Sequence, residues 1–290
     1  MSFDPPKPAI LLQLDTDAQP SVFDAAVAVD SGVAHLLRHG GVRPDAVRDL
    51  VHGLLFTRGA AELKRSAIFV GGSDVGLGEA VFEAIRATFF AHFRVSALLD
   101  PNGANTTAAA AVLAAIEGGG GSLEGANVAV LGAGPVGRRI ARLLIGQGAE
   151  VAIGTPTIEE ARAASESIRG TLGRMPSAFS TEGADDSIRR EASIVIAAGP
   201  SGVTVLPEAA RSSWPDLKVA IDLNAVPPTG IEGVEATDRG ADREGVRCWG
   251  SLGVGGSKMK IHRAAIHALF ESNDRVLDAE QVFEIGRGLA

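Results

Sequence analysis

The chain has 290 residues, of which 46% are hydrophobic and 21% charged, and this composition predicts a globular protein of two ordinary domains. A net charge of -8 argues against a nucleic-acid partner, although backbone amides of an acidic protein still bind single phosphates. The sequence shows neither a signal peptide nor an apolar run long enough to span a bilayer, so we expect a cytoplasmic protein without a membrane partner.

In the first third of the chain, short apolar runs alternate with amphipathic stretches, which predicts parallel strands covered by helices. The predicted strands are Ala9–Leu14, Ala67–Val70 and Val95–Leu99, and the predicted helices are Ser21–Ser31, Asp45–Val51 and Leu77–Phe90. An alanine-rich stretch, Thr106–Glu117, predicts a helix that leads into a second domain and ends at Gly118–Gly121.

A second series of strands and helices follows. The predicted strands are Asn127–Leu131, Val151–Ile153, Ser193–Ala198 and Leu217–Leu223, and the predicted helices are Pro135–Gln147, Ile158–Arg169 and Asp185–Glu191. The polar, glycine-rich stretch Thr229–Arg243 predicts a loop, and Met259–Ser272 and Asp278–Gly286 predict closing helices.

These elements predict an α/β protein of two domains with a cleft between them. An N-terminal α/β domain is predicted over residues 1–105, and a Rossmann-type doubly wound parallel sheet over residues 106–265. Residues 266–290 are predicted to form helices that pack back at the domain junction.

The most specific local motif is Gly132-Ala-Gly134-Pro-Val-Gly137, which follows an apolar strand and opens an amphipathic helix. Gly132 permits a tight turn, Gly134 lets the backbone approach a pyrophosphate, and Gly137 allows close helix–strand packing. The helix N-terminus favours the negative charge of the phosphates. An ordinary glycine-rich turn is the alternative. The predicted cofactor-binding residues are Gly132, Gly134, Pro135, Val136, Gly137, Thr155, Thr157, Ala198, Gly199 and Asn224.

The stretch after the next strand bears on the choice between NAD and NADP. An NAD enzyme usually has Asp or Glu there, which binds the ribose 2′-hydroxyl. This sequence has Gly154-Thr155-Pro156-Thr157 instead, and no carboxylate before Glu159. The threonine hydroxyls suit a 2′-phosphate, which favours NADP. Because the stretch contains no Arg or Lys, NAD remains an alternative.

Seven segments together resemble the NAD(P)-dependent methylene-tetrahydromethanopterin dehydrogenases of one-carbon-metabolising bacteria, some of which also accept methylene-tetrahydrofolate. The segments are Asp15–Asp24, Phe56–Gly59, Ala67–Gly72, Asn102–Ala108, Gly132–Gly137, Asn224–Pro228 and Gly253–Arg263. The likeness runs from about Ile10 to the C-terminus in the same order and at similar spacing.

The resemblance implies hydride transfer from a reduced pterin to NADP, an active cleft between a pterin-side domain and the nucleotide domain, and a homo-oligomer, trimeric or hexameric. NADP-specific members of the family carry basic residues where this chain has Pro156 and Thr157. Coenzyme preference is therefore the point at which the sequence departs from the family.

The resemblance also directs attention to polar side chains on the pterin side. Asp15 and Asp17 follow the first strand, where open α/β sheets bind ligands, although capping of the next helix is an alternative role. A second polar set suits the edges of a pterin, and its alternative role is a turn with a helix N-cap. This set is Asp100, Asn102, Asn105, Thr106 and Thr107.

Lys258 follows Gly253-Val-Gly-Gly-Ser257, which reads as a glycine loop, and by the resemblance it orients the pterin as a hydrogen-bond donor. Asp17 and Lys258 are the predicted catalytic residues, with Asp17 placed to stabilise a developing cation. The alternative for Lys258 is a solvated helix start. The scattered histidines and the single cysteine, Cys248, predict no metal site.

Two other functions remain open on the same scaffold. Lys258 could serve a methenyl cyclohydrolase, as in some folate dehydrogenases, or the chain could sense dinucleotides without turnover. A shikimate- or amino-acid-type dehydrogenase is a weaker alternative, because no Lys–Asp pair stands out in the N-terminal domain. The sequence does not separate methanopterin from folate as the carrier.

Overall fold

The computed structural model describes residues 7–182, 188 and 191–289. Its contacts divide the chain into two compact units. The first unit combines the chain up to Thr106 with the chain from Met259 onward, and the second is Thr107–Lys258. The second unit is therefore an insertion into the first.

The strands, in chain order, are β1 (Ile10–Asp15), β2 (His35–His39), β3 (Ser66–Gly71), β4 (Ser96–Leu99), β5 (Asn127–Leu131), β6 (Glu150–Thr155), β7 (Ser177–Ser180), β8 (Ile194–Ala197), β9 (Val219–Asp222), β10 (Arg239–Arg243), β11 (Val246–Trp249) and β12 (Val276–Leu277). The α-helices of the described residues are α1 (Val22–Asp30), α2 (Val47–Leu55), α3 (Val75–Thr88), α4 (Ala104–Gly118), α5 (Pro135–Gly146), α6 (Ile158–Leu172), α7 (Glu208–Arg211), α8 (Ser251–Ala268) and α9 (Ala279–Arg287). No helix in these ranges is long and apolar enough to cross a bilayer.

The first unit contains a parallel five-stranded sheet in the order β12-β4-β3-β1-β2. Leu14, Ile68 and Val70 from its central strands are buried against Val81 and Ile85 of α3. Because the strands are parallel, the chain leaves β1, β3 and β4 at the same edge, and the polar segments after these strands come together there.

The second unit contains a seven-stranded sheet in the order β10-β11-β9-β8-β5-β6-β7. Its strands are parallel except for the antiparallel pair β10–β11. The chain winds outward in opposite directions from β5, first through β6 and β7 and then through β8 and β9. The predicted doubly wound Rossmann-type sheet is confirmed, and its switch point lies at the carboxyl end of β5.

Five strands were absent from the sequence prediction, namely β2, β7, β10, β11 and β12. β2 pairs through its backbone with β1, but its side chains are mostly exposed, so it has no buried apolar pattern. The predicted loop over Thr229–Arg243 is wrong at its end, because Arg239–Arg243 forms edge strand β10 with polar side chains. The predicted helix Asp185–Glu191 lies outside the described residues, apart from Ile188 and Glu191.

The predicted glycine loop Gly253–Ser257 is wrong, because these residues lie within α8. A Cβ atom at Gly253 would lie 1.9 Å from the backbone oxygen of Asp238. Glycine is therefore required for the helix to pack against this backbone segment, and it does not mark a flexible turn.

Candidate active site

The glycine-rich turn after β5 is built by close backbone packing. Gly132 has φ 120°, and a Cβ there would lie 2.4 Å from the oxygen of Ala198. A Cβ at Gly137 would lie 2.1 Å from the oxygen of Gly132. Both glycines are thus needed to bring β5, the start of α5 and the end of β8 together.

Gly134 differs from its two neighbours in the motif. It is the N-cap of α5, and a Cβ there would meet no other atom within 4 Å. The space in front of it is a pocket of about 620 Å³. A glycine that nothing in the protein requires, at a helix N-terminus facing a cavity, fits a backbone that approaches a diphosphate.

Most of the predicted cofactor-binding residues line this pocket. Those that line it are Gly132, Gly134, Pro135, Val136, Thr155, Ala198 and Gly199, while Gly137, Thr157 and Asn224 do not. Gly137 packs against the backbone of Gly132 within the turn. The hydroxyl of Thr155 donates a hydrogen bond to the backbone oxygen of Thr157 at 2.6 Å. The Thr155 hydroxyl therefore already has an acceptor within its own loop.

Asn224 links two loops at the carboxyl edge of the second sheet. Its side-chain oxygen accepts from the backbone N–H of Gly202 at 3.2 Å, and its amide donates to the oxygen of Pro228 at 3.0 Å. Asp222 lies beneath, 1% exposed, and accepts backbone N–H groups of Asn224 and Ile231. Burial raises the pKa of Asp222, although these hydrogen bonds oppose the shift. These two residues shape the site's outer loop.

Two charged residues of the pocket were missed by the sequence prediction. Arg138 of α5 and Glu160 of α6 both line it and are both exposed. Arg138 lies four residues after Gly134, so helical spacing places it one turn above the N-cap on the same face. That spacing was the signal available in the sequence.

The first unit brings Asp17 to the edge where β1 and β3 end. Asp17 is partly exposed, and its carboxylate accepts from the backbone N–H of Ser73 at 3.0 Å and from its hydroxyl at 2.7 Å. Asp15 is fully buried and accepts the backbone N–H groups of Asp17 and Ser21 at 3.0 and 2.9 Å. Asp15 therefore holds the loop, whereas Asp17 keeps access to solvent.

The polar set after β4 divides in the same way. Asp100 is 2% exposed and accepts the backbone N–H groups of Asn105 and Thr106 as well as the Thr106 hydroxyl, at 2.7 to 3.1 Å. The Asn105 amide donates to the Leu99 oxygen at 2.6 Å. Asp100, Asn105 and Thr106 thus form a buried cap for α4. Outside this cap, Asn102 is exposed with φ 53° and Thr107 is partly exposed.

Lys258 lies on α8, partly exposed, and its ammonium group has no hydrogen bond or ion pair with the residues that the structure describes. Cys248 is buried, and burial raises the pKa of its thiol to about 11. Thiolate is therefore scarce at neutral pH, and the environment of Cys248 disfavours a role as nucleophile. The described residues contain no group of three His, Cys, Asp or Glu side chains suited to a metal ion.

Comparison with known proteins identifies the family. A model of the N-terminal region of methylene-tetrahydromethanopterin dehydrogenases matches residues 22–102. The bifunctional protein MdtA of Methylorubrum extorquens is 45% identical over 286 residues, 97% of this chain and 99% of that protein. This chain belongs to the methylene-tetrahydromethanopterin dehydrogenase family.

Further matches fit this dehydrogenase family. A model described as coenzyme F420-dependent NADP oxidoreductase matches residues 127–226, which include the glycine turn. The NAD(P)-dependent methylenetetrahydromethanopterin dehydrogenase of the same organism is 29% identical over 225 residues, 74% of this chain and 75% of that protein. As a member of this family, the protein is an NAD(P)-dependent oxidoreductase.

A solved structure supports the fold of this dehydrogenase. Quinate dehydrogenase from Corynebacterium glutamicum, in complex with NAD, superposes with a TM-score of 0.52 at 16% identity, covering 97% of this chain and 100% of that one. At this identity the likeness concerns the fold alone.

Proposed function

We propose that this protein transfers a hydride from the one-carbon unit of methylene-tetrahydromethanopterin to NADP, giving the methenyl product and NADPH. The observation that carries the proposal is the open pocket at Gly134, on the nucleotide unit of a chain 45% identical to a family member over almost its whole length. Methylene-tetrahydrofolate is the alternative carrier.

The dinucleotide would be held by the turn after β5. Backbone N–H groups at the start of α5 would face the diphosphate, and Ala198 and Gly199 would flank the path toward the nicotinamide. When bound, NADP supplies a hydride acceptor at the nicotinamide C4. The residues of the turn contribute position and electrostatics, since no protein group has to form a bond.

The substrate reduces the demands on the chain. The two nitrogens that flank the methylene carbon stabilise the cation that forms, so no general base is needed. Catalysis then rests on orientation, with the reacting carbon held about 3–3.5 Å from the nicotinamide C4. Asp17, which is partly exposed and negatively charged, would stabilise the developing cation through space.

The remaining pterin contacts are assigned to those predicted residues whose side chains are exposed or partly exposed. Asn102 and Thr107 would contact the polar edge of the pterin, and Lys258 would donate a hydrogen bond away from the reacting carbon. A lysine beside the cation would oppose the reaction. Asp15, Asp100, Asn105 and Thr106 would support these contacts from the buried loops. We further expect a cytoplasmic homo-oligomer, trimeric or hexameric, which sedimentation would measure.

The test is a steady-state assay that crosses methylene-tetrahydromethanopterin and methylene-tetrahydrofolate with NADP and NAD. Formation of NADPH that depends on the methylene-pterin supports the proposal and identifies the carrier. Binding of NADP without turnover on either pterin would instead indicate a dinucleotide sensor. Loss of methenyl absorbance without any nucleotide would indicate a cyclohydrolase.

A further inference from the structure

The nucleotide pocket lacks the donors that were expected for a 2′-phosphate. The Thr155 hydroxyl donates to the backbone oxygen of Thr157, and Thr155 is only 5% exposed. Thr157 does not line the pocket, and Pro156 has no donor at all. Selectivity for NADP therefore has to come from another element of the second unit.

Arg138 supplies the missing charge. Its Nε donates to the backbone oxygen of Ala133 at 2.8 Å, within the glycine turn. This bond fixes the guanidinium at the pocket wall, on which Thr155 and Pro156 also lie. The terminal amino groups of Arg138 have no hydrogen-bond or ion-pair partner among the described residues. A planar guanidinium with free donors binds phosphate bidentately.

We propose that Arg138 binds the 2′-phosphate of NADP and is the residue that selects NADP over NAD. The inference deepens the proposed function and rests on its dinucleotide site. It moves the selectivity from the loop after β6, which carries no cation, to the second turn of α5. The 2′-phosphate is the one group that distinguishes the two coenzymes, so an Arg138 contact acts on NADP alone.

Glu160 sets the size of the preference. It lines the same pocket, is exposed, and has no ion pair with the described residues. A carboxylate in this position repels a 2′-phosphate but accepts a hydrogen bond from a 2′-hydroxyl. Arg138 and Glu160 thus act in opposite directions on the ratio of NADP to NAD affinity.

The test measures dissociation constants by calorimetry for NADP, NAD, 2′,5′-ADP and 5′-AMP. We expect Arg138→Gln to weaken the binding of NADP and 2′,5′-ADP by about 10- to 100-fold. The affinities for NAD and 5′-AMP should stay within about 3-fold of those of the wild type. Arg138→Lys should fall between, since it keeps the charge and loses the fork. Glu160→Gln should increase the affinity for 2′,5′-ADP, because it removes the repulsion of the 2′-phosphate. Arg169→Gln, an equal loss of charge farther along α6, should change none of the four.

Several outcomes would overturn the assignment. An equal loss of affinity for 5′-AMP and 2′,5′-ADP in Arg138→Gln would mean that the guanidinium contacts the adenine or the 5′-phosphate. An unchanged ratio would place the 2′-phosphate elsewhere. If these occur while the wild-type protein still reduces NADP with a methylene-pterin, only the Arg138 assignment fails. If the wild-type protein binds none of the four ligands, the proposed function fails as well.

Discussion

At the scale of single residues, the three glycines of the turn after β5 have separable roles. Gly132 and Gly137 are required by the protein's own backbone, whereas Gly134 faces open space. The sequence motif predicted different roles for them, with Gly132 in the tight turn, Gly134 at the pyrophosphate and Gly137 at the helix–strand contact.

Gly134→Val should therefore abolish NADP binding while costing no more than about 1 kcal/mol of stability, mostly as a poorer N-cap. The added side chain enters the pocket and no protein atom opposes it. Titration calorimetry and thermal unfolding measure the two effects. Gly137→Val is the control and should lower stability strongly, because its Cβ meets the oxygen of Gly132. Normal NADP affinity in Gly134→Val would show that the diphosphate lies elsewhere.

Asp17 has two roles to distinguish, since its charge would act on the reaction and its hydrogen bonds to Ser73 hold the loop. Asp17→Asn keeps a side-chain oxygen for one of the two Ser73 donors and removes the negative charge. We expect kcat/KM for the pterin to fall by about 10-fold or more, with NADP affinity unchanged, because only stabilisation of the cation is lost. Ser73→Ala is the control, since it removes one donor and keeps the charge. If kcat/KM is the same in both variants and in the wild type, Asp17 only holds the loop and does not stabilise the cation.

At the scale of elements, the sequence predicted the mostly apolar strands and missed those that are partly polar or very short. β8 is apolar throughout and β5 is apolar after Asn127, so both patterns are visible in the sequence. β2 and β10 lie at sheet edges with exposed or polar side chains, so backbone pairing defines them. The start of α8 was hidden by its glycines, which permit close packing and were interpreted as a loop.

The buried cap of α4 is a stability element that sequence patterns alone cannot rank. Asp100→Ala removes an acceptor for three donors in a site that is 2% exposed, and we expect a loss of about 2–4 kcal/mol in the free energy of unfolding. Asp74→Ala is the matched control, because Asp74 caps α3 from an exposed position with one bond to Leu77 and should cost about 1 kcal/mol. Urea unfolding compares the two. Equal losses would mean that burial adds nothing to the cap.

At the scale of the whole molecule, the chain returns to its first unit after it has formed the second. β12, only Val276–Leu277, pairs with β4 and completes the first sheet. The sequence predicted the last helix correctly but not this return, because a strand of two residues has no periodicity and its partner lies far away in the chain. The carboxyl-terminal residues are therefore part of the first unit.

This arrangement predicts that damage at the C-terminus unfolds the first unit before the second. Phe283 of α9 is 1% exposed, and Phe283→Ala should lower the stability of the first unit by about 3–5 kcal/mol. Each unit has its own buried core, and both tryptophans, Trp214 and Trp249, lie in the second. In urea, circular dichroism should therefore report an early transition that tryptophan fluorescence does not follow.

The control for that comparison is Leu289→Ala, at a residue that is 52% exposed, and we expect its two transitions to match those of the wild type. NADP at about 100 times its dissociation constant should stabilise the fluorescence transition by about 2.7 kcal/mol, since the proposed dinucleotide pocket lies in the unit that holds both tryptophans. If Phe283→Ala instead shifts both probes equally, the two units unfold as one cooperative structure, and the insertion depends on the unit that surrounds it in the sequence.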